Sequence, residues 1–315
     1  MAPIISVQSV NKNYSSHVAL RNITFDIPKN SIFGILGPNG AGKTSLIRII
    51  NQITGPDSGE IKFHGEKIAQ KHVSKIGYLP EERGLYRKMK VGEQAIYLAR
   101  LKGLDKSEAK KKIDYWFEKF EITGWWNKKV EELSKGMQQK IQFIVTVLHE
   151  PELLILDEPF SGFDPINANL IKNEILDLKS KGASIIFSTH NMGSVEEMCD
   201  HIALINKSEL VLQGSLTDIQ QKHRTNLFKI GYRGSPMAFA HALWTGAEIV
   251  EEKQRGNFIS ATVKLLGKTT TNSLLSILLP AVEIVEFQEI LPSINDIFIR
   301  TVQESQASSN NHLTE

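Results

Sequence analysis

Eight consecutive residues constrain this chain more than any other stretch: Gly37-Pro38-Asn39-Gly40-Ala41-Gly42-Lys43-Thr44. The two glycines that frame Pro38-Asn39-Gly40-Ala41, with Lys-Thr directly after them, make the full pattern of a phosphate-binding loop. Glycines let the backbone curl until its N–H groups converge on phosphate oxygens. Lys43 supplies a positive charge for the β- and γ-phosphates of a nucleotide, and the Thr44 hydroxyl is placed to ligate Mg²⁺. The flanks fit the same purpose. Residues 31–36 read as a short buried strand, and residues 45–50 as a helix whose N-terminus faces the anion.

A second constellation extends this chemistry. Leu153-Leu154-Ile155-Leu156 is a continuous apolar run, as expected for a strand inside a parallel sheet, and it ends in Asp157-Glu158-Pro159. Asp157 sits where such strands hold Mg²⁺, usually through water. Glu158 is placed to polarise an attacking water as a general base.

Composition sets outer limits. A chain of 315 residues suggests two domains, or one large domain with an appendage. A net charge of +2 gives no argument for a broad nucleic-acid surface. The single cysteine, Cys199, excludes an internal disulfide and fits a reducing cytosol. The opening Met1-Ala2-Pro3-Ile4-Ile5-Ser6 has no basic region and no long apolar run, so it does not read as a secretory signal. The most apolar segment, residues 274–282, is interrupted by Ser276 and Pro280. A membrane span needs about 20 apolar residues, so any membrane role is expected to run through a partner.

Periodicity supplies the remaining elements. Ile5, Val7 and Val10, then Ile23, Phe25 and Ile27, alternate as in antiparallel strands. Further strands are expected at 60–63, 75–79 and 184–188, with a hairpin at 201–206 and 209–213. Residues 91–123 become helical: Ile96, Leu98, Ala99 and Leu101 fit one helix. Ile113, Trp116, Phe117 and Phe120 fit a second, with the aromatic stripe in the core. Helices are also expected at 137–149, 164–181 and 193–199. Residues 217–225 are polar and read as a linker. Beyond them the order β-α-β-β-α-β suggests a split βαβ sandwich, followed by a helix at 294–302 and a polar, disordered tail at 303–315. The expected division is thus a nucleotide-binding domain at 1–216, with a helical subdomain at about 89–150, and a small α+β domain at 226–302.

The segment Leu133-Ser134-Lys135-Gly136-Met137-Gln138-Gln139, upstream of Asp157, carries a resemblance. It is similar to the Leu-Ser-Gly-Gly-Gln signature of the ABC-transporter ATPase family. Ser134 and Gly136 match; Lys135 replaces a glycine and Met137 stands where glutamine is usual. A serine hydroxyl and glycine N–H groups at a helix start form a second anion site. Ser161-Gly162-Phe163-Asp164 resembles the family's D-loop, although Asp164 also reads as a helix cap. His190 stands at the place of the family's switch histidine, and Tyr14 at that of an aromatic stacking on adenine. Where the family places its Q-loop glutamine, after Tyr78-Leu79-Pro80, this chain has Glu81, a carboxylate able to ligate Mg²⁺.

The resemblance implies an α/β fold of the P-loop ABC ATPase type: a mixed-sheet core, an antiparallel β subdomain and an α-helical subdomain. It implies ATP and Mg²⁺, with Thr44, Asp157 and Glu81 around the metal, and catalysis by Glu158 with His190. Ser134, Lys135, Gly136, Met137 and Gln138 would bind the ATP of an opposite subunit. The implied partners are a second copy of the chain, as a homodimer, and an integral membrane permease, with no nucleic acid. Residues 83–90, including Leu85 and Tyr86, would receive a permease helix. The implied location is cytoplasmic, peripheral on the inner face of the cell membrane. The Tyr78–Tyr86 run and Leu291-Pro292-Ser293-Ile294-Asn295-Asp296-Ile297-Phe298-Ile299 resemble a bacterial sodium-efflux (NatA-like) exporter group with a small C-terminal domain. That domain reads as regulatory or as dimer support. The cargo stays open between sodium, a drug and a lipid. The alternative is a soluble ABC-type ATPase acting on ribosomes or DNA.

Overall fold

The computed structural model describes residues 2–82, 84–244 and 246–311. It divides into two compact units, Met1–Leu216 and Thr217–Glu315. No helix among the described residues is long and apolar enough to cross a membrane.

In the first unit, alternation builds β1 (Ile5–Tyr14) and β2 (His17–Ile27), whose Ile5, Val7, Val10, Ile23, Phe25 and Ile27 are all buried. β3 (Ile32–Leu36) is buried along its whole length and feeds the glycine loop, from which α1 (Lys43–Ile50) departs. β4 (Ser58–Phe63) and β5 (Glu66–Lys67) complete an antiparallel sheet in the order β2-β1-β4-β5. β6 (Ile76–Leu79) precedes three helices, α2 (Val91–Leu101), α3 (Lys106–Lys119) and α4 (Lys135–Val147). The chain then alternates: β7 (Leu153–Asp157), α5 (Pro165–Ser180), β8 (Ser184–Thr189), α6 (Met192–Met198), β9 (His201–Asn206) and β10 (Glu209–Ser215).

The second sheet runs β10-β9-β3-β8-β7-β6, parallel from β9 to β6 and antiparallel only at the β9–β10 hairpin. One apolar cluster joins both sheets through Phe25, Phe33, Leu46, Ile50, Ile155 and Ile186. The Phe25 and Phe33 rings stack with centroids 5.3 Å apart. Each fully buried aliphatic side chain there contributes about 1.5–3 kcal/mol. Parallel strands put all their C-terminal ends on one edge, which is where loops from different elements can meet.

The helical region follows the expected stripe in α3 and its C-terminal end: Ile113, Trp116, Phe117 and Phe120 are buried. α2 differs. Its buried face is Val91, Ala95 and Ala99, whereas Leu101 is 65% exposed. The cause is Gly92, which lies so close to Trp126 that an added Cβ would stand 2.4 Å from the indole ring. That contact fixes the helix rotation and turns Leu101 outward.

α7 (Leu216–Lys222), which starts at the last residue of the first unit, occupies most of the expected linker, and Ile219 in it is buried. β11 (Leu227–Arg233), α8 (Pro236–Leu243), β12 (Ala247–Arg255), β13 (Phe258–Leu265), α9 (Thr271–Leu278) and β14 (Glu283–Ile290) follow. Their sheet order, β12-β13-β11-β14 with every pair antiparallel, is the split βαβ arrangement expected from the sequence. Tyr232 and Phe239 stack at 4.0 Å in its core. The last helix, α10 (Ile294–Asn311), runs past Val302 through most of the tail expected to be disordered. Ser293 starts it by accepting from the Asp296 N–H at 3.1 Å, and a nucleated helix propagates at low cost. Residues 312–315 of that tail lie outside the described residues.

Candidate active site

The C-terminal edge of the parallel sheet opens into a cleft of about 320 Å³. Asn39, Gly40, Gly42, Lys43 and Thr44 line it from the loop after β3. Glu81 reaches it from the end of β6, Asp157 and Glu158 from β7, and His190 from β8. Residues scattered over much of the first unit are therefore neighbours because adjacent parallel strands end together.

The loop depends on glycine at two points. Gly37 has φ +146° and Gly42 φ +114°. A Cβ on Gly42 would stand 2.2 Å from the Ala19 carbonyl oxygen. Lys43 Nζ donates to the Gly37 carbonyl at 2.8 Å and the Pro38 carbonyl at 3.1 Å, so the loop is braced by its own lysine. Burial holds the Lys43 pKa below the ordinary lysine value, while Glu158, Asp157 and Glu81 pull the other way.

Burial likewise pushes Asp157 above the usual carboxylate range. Ser188 lies beside it and favours the ionised form, and Glu81 and Glu158 repel it. Its Oδ2 is nonetheless buried with no hydrogen-bond partner among the described residues, a costly state for a polar atom. Three carboxylates thus surround one ammonium, and one carboxylate oxygen is unsatisfied. That donor set fits a hard divalent cation that keeps waters and phosphate oxygens among its ligands. It is not a cage: no cluster of three or more His, Cys, Asp or Glu among the described residues is arranged to hold a metal by itself.

Glu158 is held firmly. Its backbone has φ +48°, a conformation that costs about 1–3 kcal/mol outside glycine. Its Oε2 accepts from the Thr189 hydroxyl at 3.0 Å, and its Oε1 accepts from the His190 N–H at 2.9 Å. The His190 ring nitrogen Nδ1 lies 2.6 Å from the same Oε1. A carboxylate so fixed, beside a buried lysine, can orient a water at a cleft floor.

The signature residues lie elsewhere. Ser134 caps α4 by accepting from the Met137 N–H at 3.3 Å, with Lys135 and Gly136 in the first turn. Gln138 Nε2 donates to the Leu133 carbonyl at 2.9 Å. None of Ser134, Lys135, Gly136, Met137 or Gln138 lines the cleft of its own chain. They adjoin the Ser161–Asp164 loop instead: Gln139 Nε2 donates to the Ser161 carbonyl. Asp164 caps α5, accepting from Ile166 N and Asn167 N at 3.0 Å each. Tyr14 ends β1, 38% exposed, with its ring 5.5 Å from that of His17. It does not line the cleft, but His17 does.

Three residues escaped the sequence reading. Thr189 restrains Glu158, and its only signal was its place beside His190. His17 lines the cleft from the end of the β1–β2 turn. Gln142, buried in α4, donates to the carbonyls of Pro80 and Glu82 at 3.3 and 3.4 Å, tying the signature helix to the Glu81 loop. Nothing in the sequence distinguishes that glutamine from a solvated one.

Comparison with known proteins agrees with this geometry. Residues 20–161 match the ABC transporter family, and residues 214–302 match the ATP-binding protein DrrA1-3-like, C-terminal domain. The uncharacterized ABC transporter ATP-binding protein YhaQ of Bacillus subtilis is 50% identical over 69% of this chain and 73% of its own. From the same organism, the linearmycin resistance ATP-binding protein LnrL is 34% identical over 69% of this chain and 70% of its own. The ABC transporter ATP-binding protein NatA is 33% identical over 66% and 86%. A solved ATP-binding subunit of an ABC transporter superposes with a TM-score of 0.66 at 28% identity, covering 70% of this chain and 93% of that one. The chain therefore belongs to the ATP-binding proteins of ABC transporters, in the NatA-like group that carries a DrrA-like C-terminal domain.

Proposed function

We propose that this protein powers an exporter by Mg²⁺-dependent ATP hydrolysis at a site completed by a second copy of the chain. The observation that carries the reading is the split itself. The cleft gathers Lys43, Thr44, Glu81, Asp157, Glu158 and His190, while none of Ser134, Lys135, Gly136, Met137 and Gln138 lines it. In this reading Lys43 of one subunit and Ser134 of the other enclose each ATP, and Asp164 lies at the junction. Tyr14 stacks on adenine.

Within the cleft, Lys43 neutralises the terminal phosphates and holds the loop closed around them. Glu158 accepts the proton of the attacking water, and Thr189 and His190 keep that carboxylate aimed. Thr44, Asp157 and Glu81 would hold Mg²⁺, which would offset charge on the phosphate oxygens.

The permease surface is assigned to the segment before α2 and the outer face of that helix. Tyr86, Tyr97 and Leu101 are 52%, 43% and 65% exposed, and the two tyrosine rings meet edge-on at 6.1 Å. Arg83 of that segment lies outside the described residues. Export is favoured by the resistance function in the name of LnrL. The peripheral location on the cytoplasmic face follows from coupling to a permease. A soluble ATPase acting on ribosomes or DNA is not favoured by the matched relatives. Glu158→Gln tests the chemistry: ATP binding should persist while turnover falls by about a thousandfold. Turnover at the normal rate would remove Glu158 from its role.

A further inference from the structure

A second cavity, of about 650 Å³, lies at the opposite edge of the sheet from the ATP cleft. It sits against the N-terminal ends of β7 and β8, about 13 Å along β7 from Asp157 and about 17 Å along β8 from Thr189. Helix α3 forms one wall with Lys111, Lys112, Tyr115, Trp116 and Lys119. Lys29 and Lys181 reach it from the turns before β3 and β8, and the half-buried Leu178 adds apolar surface.

Its lining is predominantly basic, with Lys29, Lys111, Lys112, Lys119 and Lys181 against Glu150 and Glu152. The two carboxylates that line it are already engaged: Glu150 with Lys112 at 3.1 Å, and Glu152 with Lys75 at 2.9 Å and His64 at 2.8 Å. Lys119 pairs with the buried Glu174 at 2.6 Å and Lys181 with Asp177 at 2.8 Å. Lys29 and Lys111 make no ion pair among the described residues. A concave wall with an excess of lysines, two of them unpaired, concentrates positive potential over the cavity. Trp116, whose ring lies 5.3 Å from Lys119 Nζ, presents aromatic surface beneath that charge.

We propose that this cavity binds an amphipathic organic anion, with a carboxylate, sulfonate or phosphate on an aromatic or branched aliphatic body. The volume lies within the range of about 300–1,000 Å³ typical of small-molecule sites. The lysines receive the anionic head, and Tyr115, Trp116 and Leu178 receive the body. None of these residues belongs to the ATP cleft, so the site is separate from hydrolysis.

The test uses the full-length protein and the dye 8-anilinonaphthalene-1-sulfonate, with near-UV circular dichroism confirming the native state. Saturable one-site binding is expected, displaced by 1-naphthoate. The double variant Lys29→Glu, Lys111→Glu should bind at least about tenfold more weakly, and Lys29→Arg, Lys111→Arg should bind normally. Ala183→Phe, which fills the cavity, should abolish binding; if that variant does not fold, the charge pair carries the test. Non-saturable binding, or equal affinity in the Glu variants, overturns the proposal. A parallel arm measures cosedimentation with phosphatidylglycerol vesicles. Cosedimentation that depends on Lys29 and Lys111, without saturable dye binding, would assign these lysines to a lipid surface and overturn it as well.

Discussion

Thr189→Val removes one hydroxyl and keeps the shape of a side chain that is only 3% exposed. Two hydrogen bonds go with it: the one donated to Glu158 Oε2 at 3.0 Å and the one accepted from Asn191 N at 3.1 Å. Bonds to an ionised group are worth about 1.5–3 kcal/mol, and neutral ones about 1 kcal/mol. Because Glu158 is partly in contact with water, a total loss of about 2 kcal/mol is expected, lowering Tm by about 4–8 °C. The catalytic effect is separable. Oε1 keeps both of its His190 contacts, at 2.9 and 2.6 Å, so the carboxylate stays in the cleft but swings at Oε2. If that freedom costs about 1.4–2.8 kcal/mol of transition-state alignment, kcat falls about 10- to 100-fold. The Thr189 hydroxyl does not line the cleft, so the Kd for ATP should change by less than about twofold. Steady-state hydrolysis and nucleotide titration on the same preparation separate the two effects, and Thr189→Ser should recover turnover. A kcat within about threefold of wild type, or a Kd that weakens as much as kcat falls, would refute the idea that Thr189 acts by aiming Glu158.

Three further outcomes are expected. His149, at the end of α4, is pushed down to about 4 by burial and by Lys102. It is neutral when folded and protonated when unfolded between pH 4 and 6.5, so its stability contribution is present above pH 6.5 and is lost on acidification. About 2 kcal/mol should be gone at pH 5, and chemical denaturation of His149→Gln should lack that pH dependence; an unchanged slope would contradict the account. In Gly92→Ala, helix propensity alone would stabilise by about 1 kcal/mol, but the 2.4 Å clash with Trp126 should win, giving a net loss of about 1–3 kcal/mol by urea denaturation; a stabilised variant would show that the ring yields. Glu81→Gln takes a carboxylate away from the triphosphate and from Asp157. Metal-free ATP binding, measured by calorimetry, should tighten about fivefold, and weaker binding would show that Glu81 does not face the nucleotide.

The parallel core was legible because its strands are continuously apolar and each functional loop leaves a strand end. That is why Lys43, Asp157 and Glu158, named from their motifs, and Glu81 and His190, named from the family resemblance, are found in one cleft. The buried face of α2 was not legible: it is made of Ala95 and Ala99, whose burial depends on Gly92 meeting Trp126, while the more apolar Leu101 faces out. α7 and the extension of α10 were hidden for a related reason, since polar sequence looks like linker or tail until a neighbour covers Ile219 or a cap nucleates the helix. Thr189 and Gln142 act through tertiary hydrogen bonds that no local pattern encodes. The lysine-lined cavity draws on residues from Lys29 to Lys181, which only the fold assembles.

The central claim is that one chain holds half of each ATP site. Light scattering of Glu158→Gln, with and without saturating ATP and Mg²⁺, tests it most directly when repeated with Ser134→Arg added. The account predicts a monomer without nucleotide, a dimer with it, and a nucleotide-bound monomer once Ser134 is replaced. A Glu158→Gln protein that stays monomeric with ATP bound, or a dimer that forms equally well with Ser134→Arg, would contradict it.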